Sequence, residues 1–378
     1  MLTMPTNPTP NSSAPQSFVF NADAAHQLLG KELPGGWNII KKIGDGSIPG
    51  EPDGTGGHFS VGYIAERKGK QGFVKVFDLG GAMREHPDDV MAALGALVNN
   101  HQYETSLLSI CENAKLDRVV RVLEQDQVML QAGSGMGFPL PFIVFEMAEQ
   151  GDFRRAVARS AAIDYAWRLR IIHQVAVGLQ QLHGVAIAHQ DLKPSNVLVF
   201  EGAEAKLADL GRASRNDGRV AAHDGIAIAG AIAYAPPEQA YGVMAEEWRD
   251  RREGCDLYHL GCLICFAFTG TTPTQAYSAL PENIKPVTWG GTWTGTYDMV
   301  YPQIAAAFAA YLDKIQPEMP DWAADQLLLV IQQLCTPEYK KRGAPEARVF
   351  ENSPLGLDRI ITRLDRLALA AKIRVKTA

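Results

Sequence analysis

In the stretch "AHQDLKPSN", residues 188–196, an acid, a lysine and an asparagine stand at fixed offsets: Asp191, Lys193 and Asn196. In-line phosphoryl transfer needs an acceptor for the nucleophile's proton, a cation near the transferring phosphate, and oxygen ligands for magnesium. Asp191 suits the first task, Lys193 the second and the side-chain carbonyl oxygen of Asn196 the third, with Pro194 fixing the loop between them. A D-x-K-x-x-N pattern can also arise on an ordinary polar turn. It gains weight from "KLADLGRA", where a second acid, Asp209, follows a short apolar strand 18 residues after Asp191. A carboxylate there, followed by Gly211, suits a grip on magnesium across the β- and γ-phosphates. The plain alternatives are a turn and a capping Asp, and both would have to occur together at this spacing.

These residues need a scaffold, and the hydrophobic pattern supplies one. From about 37 to 80 the chain reads as strands separated by glycine-rich turns: "WNIIKKIG", "FSVGYIAER", the turn "KGKQG" and "GFVKVFDL". From about 88 to 113 the pattern is helical, and two further strands are expected near "RVVRVLEQ" and "FIVFEMA". After Gly151 helices dominate. Ile171, Ile172, Val175, Leu179 and Leu182 predict a helix over about 165–184 with one apolar face. Residues 255–269 are apolar nearly all round, as in a helix buried on all sides, and 300–314, 321–335 and 356–373 read as further helices. The pattern splits into a smaller strand-rich part and a larger helical part, hinged near 147–151, with no internal repeat.

With these motifs in order, the sequence resembles the protein kinase family, of the eukaryotic-like (Hanks-type) serine/threonine kind found in bacteria, over roughly residues 37–350. The resemblance implies an α+β, bilobal fold. A flexible tail and lead-in would occupy 1–34, a small antiparallel-sheet lobe with one main helix 35–149, a larger helical lobe 150–350, and a C-terminal helical extension 351–378. It also implies ATP and Mg2+ as cofactors and a protein substrate. In "FVKVFDL", Lys75 would contact the α- and β-phosphates, and in "YETSLLSI", Glu104 would pair with it. "FIVFEMAEQGDF" resembles the strand and hinge that hold adenine, with Phe145 as gatekeeper and the backbone of Glu146 and Ala148 bonding the base. "AYAPPEQ" supplies Glu238, "CDLYHLGCL" supplies Asp256 to hold the catalytic loop's backbone, and "KKRGAP" supplies Arg342 to pair with Glu238. His189 takes a core role beneath the metal site. Small-molecule kinases of the aminoglycoside type share the catalytic acids and lack this set of structural residues.

Three departures stand out. Aligning Phe59 and Tyr63 to the family's glycine-rich loop leaves Thr55, Gly57 and Ser60 at the three glycine positions, with Gly62 in place of the valine. Gln190 replaces the arginine of H-R-D, which in many relatives neutralises a phosphorylated residue of the activation segment; an amide cannot supply that charge. From Asp209 to Glu238 there is one serine, Ser214, one tyrosine, Tyr234, and no threonine, with Ala231 where serine/threonine kinases commonly carry a threonine. The last two absences agree: activity is expected to need no phosphorylation of this segment.

Composition narrows the alternatives. A charged fraction of 21%, a hydrophobic fraction of 46% and a net charge of −6 describe an ordinary globular chain and argue against nucleic acid or an anionic membrane as the main partner. No apolar run approaches the roughly 20 residues that span a bilayer, and "MLTMPTNPTPNSSAPQSF" lacks the pattern of a signal peptide, so a cytoplasmic location is expected. The five cysteines show no disulfide framework, and Cys262 and Cys265 lie in "LGCLICFAFTG", where buried helix thiols fit better than a metal site. Regulatory input would then come through a partner protein, the N-terminal tail or the C-terminal helix. Two other readings remain: a pseudokinase acting as a nucleotide-binding or scaffolding module, to which the irregular loop points, and a kinase of a non-peptide acceptor, to which Ala231 points.

Overall fold

The computed structural model describes residues 23–44, 60–85, 88–130, 138–159, 164–221, 223–347 and 355–377. The chain divides into two compact units, one of Met1–Leu97 with Leu123–Phe145, the other of Val98–Val122 with Glu146–Ala378. This division falls within one continuous helix, Val90–Asn113, whose hydrophobic pattern carries no break.

The first unit is built on a six-stranded sheet of β1 (Glu32–Leu33), β2 (Trp37–Lys42), β3 (Ser60–Arg67), β4 (Lys70–Phe77), β5 (Val122–Leu130) and β6 (Phe138–Glu146), in the order β1-β2-β3-β4-β6-β5. The turn between β3 and β4 is Lys68–Gly69, with φ of 52° and 76°. A two-residue hairpin turn matches the twist of its strands when both central residues have positive φ, which glycine adopts at no steric cost. That turn sets Arg67 opposite Lys70 and carries the antiparallel register along to Gly62 opposite Lys75. Val74 and Val76 are fully buried while the intervening Lys75 is half-buried, so period-2 alternation puts the lysine on the face opposite the valines.

Residues 24–33 correct one expectation. Expected as part of a flexible lead-in, they form a short 3-10 turn at Ala24–His26 and the strand β1, paired antiparallel with β2. Ala25, Leu28 and Leu33 are buried, the Tyr63 hydroxyl donates to the Ala25 carbonyl at 2.7 Å, and His26 bonds Asp78 at 3.0 Å. Three apolar side chains separated by polar residues are too sparse to show a period, and long-range packing orders them.

Two helices follow β4, α1 (Leu79–Glu85) and α2 (Val90–Asn113). The second unit then runs through α3 (Phe153–Arg159), α4 (Tyr165–Gly184), β7 (Ile187–Ala188), β8 (Val197–Phe200), β9 (Glu204–Leu207), β10 (Ser214–Arg215), α5 (Pro237–Ala240), α6 (Gly254–Thr269), α7 (Pro273–Ala276), α8 (Tyr297–Ile315), α9 (Ala324–Cys335) and α10 (Leu357–Thr377). Asp164 caps α4 by accepting the Trp167 N–H at 2.8 Å, and Leu169, Ile172, Val175, Leu179 and Leu182 form its buried stripe. Helix α6 is buried nearly all round and ends at Gly270, whose φ of 69° is the left-handed conformation glycine favours at a helix C-terminus. Helix α10 packs on α4, and its buried Ile360, Leu364, Leu367 and Ala371 form an i, i+4, i+7, i+11 face. All five cysteines are buried and free. No helix among the described residues is long and apolar enough to cross a membrane.

Arg342 and Glu238 join distant parts of this unit through two parallel hydrogen bonds, Nη1 to Oε1 at 2.7 Å and Nη2 to Oε2 at 2.6 Å. The Arg342 guanidinium is 0% exposed and sits 4.9 Å from the centre of the Tyr258 ring. Desolvating both charges is tolerable only because each is matched by the other in fork geometry. Removing Arg342 alone strands a buried carboxylate. Arg342→Ala should therefore lower unfolding free energy by about 3–5 kcal/mol in urea titration, and the double replacement Glu238→Leu/Arg342→Met should recover much of that loss. A loss under about 1 kcal/mol in the single variant would show the pair to be energetically idle.

Candidate active site

The site in the second unit is organised by a carboxylate at the start of α6. Asp256, 0% exposed, accepts the backbone N–H of His189 at 2.8 Å and of Gln190 at 2.7 Å. Strand β7 delivers the chain to this point and pairs antiparallel with β10, Ala188 opposite Ser214. The backbone then turns sharply, for Gln190 has φ of 61°, a left-handed conformation that costs a residue with a β-carbon about 1–3 kcal/mol unless its surroundings hold it. The two bonds to Asp256 hold it.

His183, from the last turn of α4, places Nε2 at 2.8 Å from Asp256 Oδ2. Burial opposes charge on both partners. Their mutual hydrogen bond and attraction prevail, holding the Asp256 carboxyl below its ordinary value and the His183 imidazole above its own.

Asp191 lies next along the turned backbone, 6% exposed. Its Oδ2 accepts from Lys193 Nζ at 2.7 Å and from Asn196 Nδ2 at 3.2 Å, and its Oδ1 accepts the backbone N–H of Ala231 at 2.8 Å. Asn196 Nδ2 also donates to the Asp191 carbonyl at 2.7 Å, which turns the amide so that Oδ1 is the atom left to act as a ligand. The antiparallel ladder of β8 and β9 sets Val197 opposite Leu207, and the Ala208 N–H donates to the Asn196 carbonyl at 2.9 Å. Asn196 and Asp209 are thus brought together as the two ends of one hairpin. Asp209 has φ of 62° and receives the Gly211 N–H at 3.4 Å. Both oxygen donors suit a hard cation such as Mg2+. Among the described residues no group of three or more His, Cys, Asp or Glu could hold a metal. An ion between Asn196 and Asp209 would take its further oxygens from water or phosphate, as Mg2+ commonly does.

His189 has more than the core role expected of it. Its Nδ1 accepts the Asp191 N–H at 3.3 Å and its Nε2 lies 3.0 Å from the Ala208 carbonyl, so the neutral ring protonated on Nε2 links the Asp191 turn to the Asp209 strand. Glu104 is buried on α2, and a β-carbon built on Gly211 would lie 3.8 Å from its carboxylate, which puts Glu104 beside the Asp209–Gly211 turn. Glu146 donates its N–H to the Arg121 carbonyl at 3.1 Å and its carboxylate accepts from Lys206 at 2.7 Å, while the Ala148 carbonyl accepts the Gly151 N–H.

In the first unit, Lys75 lies with its Nζ 5.6 Å from the Phe77 ring centre, and Phe145 is buried with its ring 6.4 Å from that of Phe73. Ser60 opens β3, opposite Phe77. Gly57 and Thr55 lie outside the described residues. Lys75 and Glu104 belong to different units, so their pairing stays an expectation.

Sequence reasoning missed Gly230. A β-carbon there would lie 2.3 Å from the Gln190 carbonyl oxygen and 2.8 Å from Asp191 Oδ1, so only glycine allows the segment to come close enough for Ala231 to donate its N–H. A lone glycine in "AIAGAIA" is the one visible signal. Arg252, which bonds the Gln190 side chain from outside the motif, and Asp224, which bonds Arg252, were also missed.

The comparisons agree with this architecture. The pattern of the protein kinase domain matches residues 100–347, and the chain belongs to that family. The match begins after the strand that carries Lys75. A probable serine/threonine-protein kinase of Clostridium perfringens is 25% identical over 260 residues, covering 69% of this chain and 32% of the relative. The serine/threonine-protein kinase PknL of Mycobacterium tuberculosis is 31% identical over 140 residues, 37% of this chain and 33% of the relative. MDIS1-interacting receptor like kinase 2 of Arabidopsis thaliana is 30% identical over 148 residues, 38% of this chain and 13% of the relative. The chain therefore spans about a third or less of the length of these relatives.

The His183–Asp256 pair sets a pH dependence of stability. Its imidazole, held above the ordinary value of about 6.5, contributes stability that is complete below that value and lost as pH rises through the folded-state value. Its carboxyl, held below the ordinary value of about 3.9, contributes stability lost only as pH falls through its own folded-state value. Urea midpoints of the wild type minus those of His183→Gln should therefore be largest near pH 5–6 and shrink toward pH 9. A difference that stays flat or grows over that range would contradict the assignment.

Proposed function

We propose that this chain is an ATP- and Mg2+-dependent kinase that transfers the γ-phosphoryl group of ATP to serine or threonine hydroxyls of proteins, without needing phosphorylation of its activation segment. The observation that carries the reading is the buried Asp191 carboxylate on which Lys193, Asn196 and the Ala231 N–H converge. Each carboxylate oxygen has two lone pairs, so these bonds orient the group and leave room for it to accept a substrate hydroxyl's proton. Lys193, held at 2.7 Å from Asp191, would offset charge on the transferring phosphate.

Asn196 and Asp209 would hold Mg2+, which would neutralise charge on the β- and γ-phosphates and hold them in line. Lys75 would contact the α- and β-phosphates with Glu104 as its partner. Ser60 and Gly57 would border the phosphates, and Phe145 would close the adenine site. Since the Glu146 N–H already bonds Arg121, Glu146 would offer its carbonyl to the base and Ala148 its N–H.

Ala231 lacks the hydroxyl and keeps a backbone N–H on Asp191, a contact that does not depend on the side chain and does not choose between peptide and non-peptide acceptors.

Labelled ATP, Mg2+ and a mixed Ser/Thr/Tyr peptide library test the reading. Wild type should transfer label to serine and threonine, and Asp191→Asn should lose about 10²-fold or more of the rate. Gly230→Ala should also be slower, because its β-carbon displaces the segment that bonds Asp191. Chelation of Mg2+ should abolish transfer. No label above the Asp191→Asn level would favour a nucleotide-binding or scaffolding module, and label appearing only on small-molecule acceptors would favour the non-peptide reading.

A further inference from the structure

Gln190 stands where many related sequences carry an arginine, and its side chain is fully used. The amide Nε2 donates to the Ser214 hydroxyl at 2.7 Å and to the Arg212 carbonyl at 3.1 Å, while Oε1 accepts from Nη1 of Arg252. Arg252, 2% exposed, belongs to a π-helical turn, Arg249–Glu253, that runs directly into α6. It lies four residues before Asp256, on the same side of the helix. Asp256 takes the backbone N–H of Gln190, and Arg252 takes its side-chain oxygen.

The other Nη of Arg252 meets Asp224 Oδ1 at 2.5 Å. Asp224 lies in the activation segment, and its two oxygens are shared out further. Oδ1 accepts the Ser214 hydroxyl at 2.8 Å, and Oδ2 accepts the Ala221 N–H at 2.6 Å. His223 adds Nε2 at 3.1 Å from Ser214 Oγ. The donors and acceptors of Ser214 balance if the hydroxyl donates to Asp224 and accepts from Gln190 and from His223 protonated on Nε2. Burial pushes the His223 imidazole down to about 4, so it is neutral at physiological pH. Ser214 is 0% exposed with all its hydrogen bonds made, which puts its hydroxyl out of reach of a phosphorylating enzyme in this conformation.

We infer that Arg252 and Asp224 are positioning residues, a built-in cation and carboxylate that hold the activation segment against the catalytic loop in place of an arginine and a phosphate. The choice of glutamine follows. With the cation supplied from the α6 side, position 190 needs an acceptor toward Arg252 and donors toward Ser214 and Arg212. A second guanidinium there would face the first across a buried contact. The segment so held carries Gly230 and Ala231, whose N–H orients Asp191. This inference rests on the reading of Asp191 as the phosphoryl-transfer acid.

The full chain carrying Asp224→Asn tests it, with Asp224→Glu and Arg252→Ala beside it. Asp224→Asn nearly keeps the side chain's volume, removes its charge and turns one acceptor oxygen into a donor NH2. Two measurements are made on each: steady-state kinetics with ATP and peptide, and hydrogen exchange of the amides in 212–234. Asp224→Asn and Arg252→Ala should lower kcat about 10- to 100-fold, the size of one charge-assisted hydrogen bond, with KM for ATP within about twofold. Exchange in 212–234 should rise in both, and Asp224→Glu should recover part of each effect. If Asp224→Asn keeps wild-type kcat, or loses kcat with no rise in exchange, the inference is overturned. If the wild type itself transfers no phosphate, the kinase reading fails, and the exchange measurement alone decides whether Arg252 and Asp224 hold the segment.

Discussion

A single buried carboxylate, Asp256, supports the remainder of the site. Its two oxygens accept the N–H groups of consecutive residues, His189 and Gln190, and one of them also meets His183. An ionised carboxylate in a dry interior persists only with hydrogen bonds and a countercharge, and here it has both. In return it fixes a backbone turn that a non-glycine residue would otherwise avoid, and the turn aims Asp191. Moving Asp256 would release three elements together: the end of α4, the loop after β7 and the start of α6.

From that anchor, position passes outward through backbone groups as much as side chains. His189 links the Asp191 N–H to the Ala208 carbonyl, the β8–β9 hairpin joins Asn196 to Asp209, and Gly230 lets the Ala231 N–H reach the Asp191 carboxylate. In the proposed reaction catalysis is mainly positioning and charge stabilisation, so rigidity of this network matters more than any covalent role for the protein. The same logic covers Arg252 and Asp224. A fixed ion pair gives a permanently arranged segment, whereas a phosphate gives one that can be switched.

Much of this was legible in the sequence because it is local. Asp191, Lys193 and Asn196 fall within six residues, and the helices α4 and α6 announce themselves through apolar period and length. The strands about Lys75 were legible through the glycine-rich turn "KGKQG", of which the structure keeps Lys68–Gly69 as the turn and draws Lys70–Gly72 into β4. What was hidden is long-range or blind to side-chain type. The Ala231 N–H could belong to any residue but proline, so its bond to Asp191 leaves no mark at position 231, only a glycine at 230. Arg252 and Asp224 are 28 positions apart, and neither lies in a recognisable motif. Gln190 read alone is a missing charge; beside Arg252 it is the acceptor that charge requires. Ordering of 24–33 was hidden for the related reason that two strand residues gain their stability from the sheet they join.

The central claim is that this site transfers phosphate with its activation segment already in place. The most direct measurement is the time course of peptide phosphorylation by full-length chain shown by intact mass to carry no phosphate at the start. The account predicts a linear course from the first turnover, at a rate that prior incubation with ATP does not raise. A lag that shortens with enzyme concentration, ending as phosphate appears between residues 212 and 234, would contradict it.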